Sequence, residues 1–180
     1  MDSIFDSRIM LVDDHDLVRE SLRNLFMDKG FTDVDTDSGR NVQNVLKSRK
    51  YDLVVQDLQR PNLDGADLYC WMKSHKELAN IPIVLLTMSN PLFIDERGFT
   101  LIDRHKFELT HAASFMETCP LVPPVGKSKD PVIYIEGYVN KSDSSEQLFA
   151  TVSRALKFWK CCKDVGWEKE RRNKYLWPNV

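Results

Sequence analysis

A set of polar side chains in this sequence stands directly behind short apolar runs. Asp13 and Asp14 follow Arg8-Ile9-Met10-Leu11-Val12, Asp57 follows Tyr51 to Gln56, Thr87 follows Ile81 to Leu86, and Lys141 comes just after Val132 to Val139. If each run is a strand of an open parallel sheet, these residues gather at the carboxyl edge, where such sheets bind their ligands. Three carboxylates, one hydroxyl and one ammonium then meet. Close carboxylates repel one another unless a cation lies among them. An all-oxygen donor set suits Mg²⁺, a hard cation with near-octahedral demands. A carboxylate is also a nucleophile toward a phosphoryl group. Phosphoryl transfer needs an in-line nucleophile and positive charge on the equatorial oxygens. Asp57, on the central strand, is the natural nucleophile. Mg²⁺ and Lys141 supply charge, and the Thr87 hydroxyl can donate to a phosphoryl oxygen.

The elements that must position these groups are legible in outline. Arg8–Val12 reads as a buried strand. Asp16 to Lys29 places Leu17, Val18, Leu22, Leu25 and Phe26 at helical spacing, with Gly30 as the stop. Thr32 to Thr36 is a second strand. Ser38 is the expected N-cap of a helix running to about Arg49. Tyr51 to Gln56 is a third strand. Pro61, Asn62, Asp64 and Gly65 mark a loop, and a helix follows through Leu68 and Trp71 to about Lys76. Ile81 to Leu86 is a fourth strand. Val132 to Val139 is a fifth, interrupted at Glu136-Gly137. Asp143-Ser144-Ser145-Glu146 has capping-box spacing with Asp143 as the cap. The helix beyond it carries Leu148, Val152, Ala155, Trp159 and Cys162. Strands alternating with helices imply an α/β fold with a parallel sheet. Between strands four and five the chain runs far past the dozen or so residues that a crossover requires. A Pro- and Gly-bearing insertion at about 91–131, with a helix near Phe107 to Thr118, accounts for the excess.

Val12-Asp13-Asp14, Asp57-x-x-x-Pro61 with Asp64-Gly65, Leu86-Thr87 and Tyr138-x-x-Lys141 occur in that order. Together they resemble the receiver domain of bacterial two-component response regulators, in its single-domain form, over residues 8–90 and 132–158. Ile81 to Ser89, Lys141-Ser142 and Phe158-Trp159 are further similar to the small regulators that partner bacterial phytochromes. The resemblance implies a flavodoxin-like three-layer fold with strand order 2-1-3-4-5. It implies Asp57 as phosphoacceptor, and Asp13, Asp14, Asp57 and the backbone carbonyl of Gln59 as Mg²⁺ ligands. Thr87 and Lys141 would contact the phosphoryl group, and Tyr138 would be the aromatic that moves with Thr87. The implied donor is a histidine kinase or phosphotransfer protein, and the C-terminal elements could support a homodimer. The chain departs from the family pattern at three residues: Ser142 stands where receivers carry a cis proline, Arg60 precedes Pro61, and bulky Met88 follows Thr87. The insertion falls on the face that receivers use for signalling.

Composition narrows the alternatives. The 180 residues carry 25 Lys+Arg and 27 Asp+Glu, a net charge of −2, with 42% apolar residues. That mix is globular and excludes wholesale disorder. Residues 1–160 are expected to form one domain, and 161–180 a basic, aromatic, helical tail. The basic excess after Lys157 reads as a solvated helix end, so no nucleic-acid partner is expected. Trp159, Trp167, Tyr175, Leu176 and Trp177 suit packing on the domain or on a twin chain, because bases also need a continuous basic groove. The longest apolar run, around Ile83 to Met88, is far short of the ~20 residues of a membrane span. The acidic start lacks the basic region of a secretory leader. Cys70, Cys119, Cys161 and Cys162 show no C-x-x-C spacing. These features together suit a cytoplasmic protein. His15, His75, His105 and His111 read as surface or packing residues, and His105, His111 and Cys119 lack zinc spacing. No helix-turn-helix or catalytic output unit fits after Lys157, so the chain reads as a switch and not as an enzyme with its own substrate. The competing reading is a phosphorylation-independent interaction module built on the insertion and tail. A haloacid-dehalogenase-type phosphatase would want an acid two residues after Asp57, where Gln59 stands.

Overall fold

The computed structural model describes residues 3–58, 65–88, 100–103, 132–135 and 137–164. Its strands are β1 (Arg8–Val12), β2 (Asp33–Asp37), β3 (Leu53–Asp57), β4 (Ile83–Thr87), β5 (Thr100–Asp103), β6 (Val132–Ile135) and β7 (Gly137–Asn140). Its helices are α1 (Asp16–Asp28), α2 (Val42–Ser48), α3 (Gly65–Ser74) and α4 (Ser145–Asp164). A parallel sheet runs in the order β2-β1-β3-β4-β7. With β7 as the fifth strand, this is the flavodoxin-like order 2-1-3-4-5.

Strand side chains alternate between faces, and each face of this sheet has its own core. Met10, Val12, Val54, Ile83 and Leu85 pack with Val42 and Leu46 of α2 and with Leu68, Tyr69 and Met72 of α3. Ile9, Leu11, Leu53, Val55, Val84, Leu86 and Val139 pack with Phe26 of α1 and with Leu148, Val152, Ala155 and Leu156 of α4. Burial on both faces explains why β1, β3 and β4 read as nearly continuous apolar runs and not as alternating ones.

Several local expectations are corrected. The Val132 to Val139 stretch is two strands. Val132–Ile135 pairs with β5 in a separate two-stranded parallel sheet, and Gly137–Asn140 alone joins β4. Helix α2 starts later than a Ser38 cap requires. Asn41 is its flanking residue, and Asp37 organises the turn by accepting from Gly39 N at 2.7 Å and Asn41 N at 3.3 Å. The cap of α4 is Ser144, whose Oγ accepts from Gln147 N at 3.3 Å, and not Asp143. Leu17, at helical spacing with Leu22 and Leu25, is 78% exposed. The expected helix at Phe107 to Thr118, most of the 91–131 insertion and the tail beyond 164 lie outside the described residues. Among the described residues, no helix is long and apolar enough to cross a membrane.

Gly137 is required where β7 meets α4. A Cβ there would run into Thr151 Cγ2 of the facing helix, and Thr151 is itself buried. Overpacking of this kind costs about 1–3 kcal/mol. Gly137→Ala should therefore lower stability by about 2 kcal/mol in urea denaturation. The double variant Gly137→Ala/Thr151→Ala should recover most of that loss, because the obstructing methyl is gone.

Candidate functional site

The strand ends do converge. Asp13 continues the β1–β2 ladder one step, its N–H donating to Asp37 O at 3.2 Å, and is fully buried. Asp57 and Thr87 are the last residues of β3 and β4, with 4% and 2% exposure. Lys141 is the first residue after β7, and its N–H donates to Thr87 O at 2.8 Å, extending the β4–β7 ladder. The register thus delivers the Lys141 ammonium across β4 toward the acids. Its Nζ lies 2.7 Å from Asp13 Oδ2 and 2.9 Å from Asp57 Oδ2. Burial pulls this ammonium toward its neutral form. The hydrogen bonds and charges of Asp13 and Asp57 outweigh burial and hold it above the ordinary lysine value.

The other Asp13 oxygen accepts the His15 N–H at 2.9 Å, and the Asp13 carbonyl accepts from Arg19 Nη1 at 2.6 Å. Arg19 also pairs with Asp16. The chain after β1 is therefore pinned from both sides. Asp14 stands at the rim with its side chain 21% exposed, and His15 Nδ1 is 3.0 Å from Asp14 Oδ1. Ligand atoms of Asp13, Asp14 and His15 lie within 4.8 Å of one another. His15, read from the sequence as a surface or packing residue, thus lies at the rim of the site with its side chain 69% exposed. Its position next to the acid pair was the available signal.

These residues fit a hard divalent cation. Lys141 balances only part of the charge on Asp13, Asp14 and Asp57, and each Asp13 oxygen keeps lone-pair capacity beyond its single hydrogen bond. Carboxylate oxygens are the right donors for Mg²⁺. The His15 nitrogen is a softer donor already turned to Asp14, and is better placed to orient that carboxylate.

A buried amide was also missed by sequence reasoning. Gln56 is fully buried next to Asp57, and its Nε2 donates to Gly65 O at 2.9 Å. The bond ties the end of β3 to the start of α3. Nothing in the apolar periodicity of β3 flags it.

Gln59, Arg60, Pro61 and Asp64 lie outside the described residues, so the Gln59 carbonyl expected as a ligand does too. Tyr138 of β7 pairs in register with Leu85 of β4, and its side chain is outside the described set. Met88 is 68% exposed and stands out into solvent beside the site. Among the described residues no peptide bond is cis, so Lys141–Ser142 is trans.

Comparison with known proteins agrees with this fold. The family model for the response regulator receiver domain matches residues 9–101, more than half of the chain. The polar-differentiation response regulator DivK of Brucella ovis is 29% identical over 79 residues, which are 44% of this chain and 64% of DivK. Chemotaxis protein CheY-3 of Vibrio cholerae is 32% identical over 81 residues, 44% of this chain and 62% of CheY-3. The chain thus spans slightly under two thirds of these relatives. Among solved structures, CheY4 of Vibrio cholerae aligns with a TM-score of 0.56 at 18% identity, covering 83% of this chain and 98% of that one. Full-length FixJ from B. japonicum aligns at 0.56 and 19%, covering 88% of this chain and 61% of FixJ. At such identities the structural likeness speaks to fold. The family match ends before Lys141, so the place of Lys141 in the site rests on the strand register and the ion pairs.

Proposed function

This chain belongs to the response regulator receiver domain family, and from that membership we propose that it is a phosphorelay switch whose phosphoacceptor is Asp57. The observation that carries the proposal is the Lys141 ammonium held between Asp13 and Asp57, 2.7 and 2.9 Å from their oxygens. A nucleophile, an acid pair and a fixed cation are the parts that phosphoryl transfer uses.

The donor is a phosphohistidine of a histidine kinase or phosphotransfer protein. An Asp57 oxygen attacks phosphorus in line, the N–P bond breaks, and the imidazole leaves with its electron pair and takes a proton. Lys141 then exchanges part of its contact with Asp57 for a phosphoryl oxygen, and the Thr87 hydroxyl donates to another. Asp13, Asp14, Asp57 and the Gln59 carbonyl would hold Mg²⁺, which when bound neutralises charge on the equatorial oxygens. Movement of Thr87 toward the phosphoryl group would carry Tyr138 with it. The same groups support slow self-dephosphorylation, so the chain is a switch without a small-molecule substrate. Its output would be protein–protein contact in the cytoplasm, including a homodimer through the C-terminal elements, with no nucleic acid.

The test is intact-mass analysis after incubation with Mg²⁺ and acetyl phosphate. Wild type should gain one phosphoryl adduct and Asp57→Asn none. A folded wild type that gains no adduct and binds no Mg²⁺ would instead support an interaction module acting without phosphorylation.

A further inference from the structure

The turn that carries Lys141 is closed by its own side chains. The Asn140 carboxamide oxygen accepts from Ser142 N at 2.9 Å and from Ser142 Oγ at 2.7 Å. A main-chain N–H can only donate, so the atom facing Ser142 N is the carbonyl oxygen. The Asp143 carboxylate accepts from Asn140 N at 3.0 Å, and Asp143 N donates back to Asn140 O at 2.9 Å. The residues on both sides of Lys141 are therefore locked to each other, while the Lys141 N–H is fixed to Thr87 O at 2.8 Å.

Lys141 needs such a frame. It is the first residue off the sheet, and a lysine stem has many rotamers, yet its ammonium must sit between two buried carboxylates. An open turn would let the main chain drift, and Nζ would drift with it. Ser142 is exposed, while Asn140 and Asp143 are half-buried at the rim. Neither Asn140 nor Asp143 has a hydrogen bond to Asp13, Asp57 or Thr87 side chains among those described, so their influence passes through the turn. The capping-box spacing hid this use, since Ser144 caps α4 and leaves Asp143 for the turn.

We propose that Asn140 and Asp143 are positioning residues that hold Lys141 in register with Asp57 for phosphoryl transfer. The proposal rests on Asp57 being the phosphoacceptor. A misplacement of about 1 Å in a reacting constellation can cost on the order of a hundredfold in rate. Lys141 is one step removed from the nucleophile, so we expect about tenfold.

The experiment measures the rate of adduct formation at saturating acetyl phosphate and Mg²⁺ in Asn140→Ala, Asp143→Ala and the conservative variants Asn140→Asp and Asp143→Asn. Thermal melts run alongside, and rates are taken where each variant is folded. The alanine variants should be slowed about tenfold, and the conservative variants, which keep an acceptor oxygen, should stay within about twofold of wild type. In a Lys141→Ala background, Asn140→Ala should change the rate no further, because its effect acts through Lys141. A full-rate Asn140→Ala, or an equal slowing with Lys141 already removed, would overturn the proposal. Competitive acetylation of the metal-free protein, read at the Lys141 peptide, separates the two readings. Labelling of Lys141 should rise about tenfold in Asn140→Ala if the turn holds the ammonium in place. If wild type forms no adduct, the phosphoacceptor reading fails, and unchanged labelling would remove the positioning role as well.

Discussion

Lys141→Met should destabilise the metal-free protein by about 2–3 kcal/mol and slow phosphoryl transfer about a hundredfold, yet tighten Mg²⁺ binding. Removing one partner of a buried ion pair costs about 3–5 kcal/mol, because the other charge is left uncompensated. Here the Asp13 and Asp57 side chains are 0% and 6% exposed, but the lysine end is 17% exposed and water reaches it, so the cost falls at or just below the bottom of that range. Urea denaturation with a chelator present measures the cost. The rate effect follows from losing a fixed positive charge at the transferred group, which typically costs about 10²–10³-fold. The metal effect has the opposite sign. With the ammonium gone, Asp13, Asp14 and Asp57 present a more negative pocket, and a divalent cation gains what the lysine gave up. Titration calorimetry should show tighter Mg²⁺ binding in the variant. Equal or weaker binding would mean that Lys141 does not share the carboxylates with the cation.

The pH dependence of the same pair follows from the raised Lys141 value. The folded state holds the proton more tightly than the unfolded chain, whose lysine titrates near 10.5. The stability contributed by the ammonium is therefore fully present below about 10.5 and is lost as pH rises through the higher folded-state value. The stability gap between wild type and Lys141→Met should be flat across neutral pH and close only in strong alkali.

The parts of this site that the sequence shows are those fixed by local rules. Asp13, Asp57, Thr87 and Lys141 each end or follow an apolar run, and a parallel sheet can only bring such ends to one edge. What the sequence hides depends on distant partners. Val132 to Val139 reads as one strand interrupted at Glu136-Gly137, because periodicity carries no label for which sheet a strand joins. Its division depends on β5 pairing with the first half and β4 with the second. Asp143 and Ser144 are both good caps, so propensity cannot choose between them. The choice is made by the path of the main chain out of β7, which turns the Asp143 carboxylate back to Asn140. Leu17 has helical spacing with Leu22 and Leu25, but it lies in the first turn of α1, beside the exposed rim of the site. Gln56 looks like an intruder in an apolar strand until the start of α3 is placed against it.

Gly65→Ala should cost about 3 kcal/mol or more and should cripple phosphoryl transfer, and no side-chain substitution should rescue it. A Cβ at this position would lie 2.7 Å from Asp57 O, 2.8 Å from Leu58 Cα and 3.0 Å from Leu58 O. All of these atoms are main chain. A side chain can rotate out of the way, but the end of a central strand cannot, since Leu58 N is bonded to Leu86 O at 2.9 Å and Gly65 N to Leu58 O at 2.9 Å. Overpacking usually costs about 1–3 kcal/mol, and an unyielding obstacle puts this case at the top of that range or beyond. Relief requires α3 to move off β3, which would break the Gln56 bond to Gly65 O and shift the main chain that aims the Asp57 carboxylate. Stability and chemistry should therefore fail together. The contrast with Gly137→Ala is diagnostic. There the obstacle is one methyl of Thr151, and Gly137 pairs with Val84, three residues before the strand end at Thr87, so stability should fall alone and a second substitution should restore it. Urea denaturation and adduct rates on both variants decide the matter. A Gly65→Ala protein with wild-type stability would show that α3 can start farther from Asp57 than it does here. A destabilised but fully active one would show that the close approach serves packing and not the aim of the phosphoacceptor.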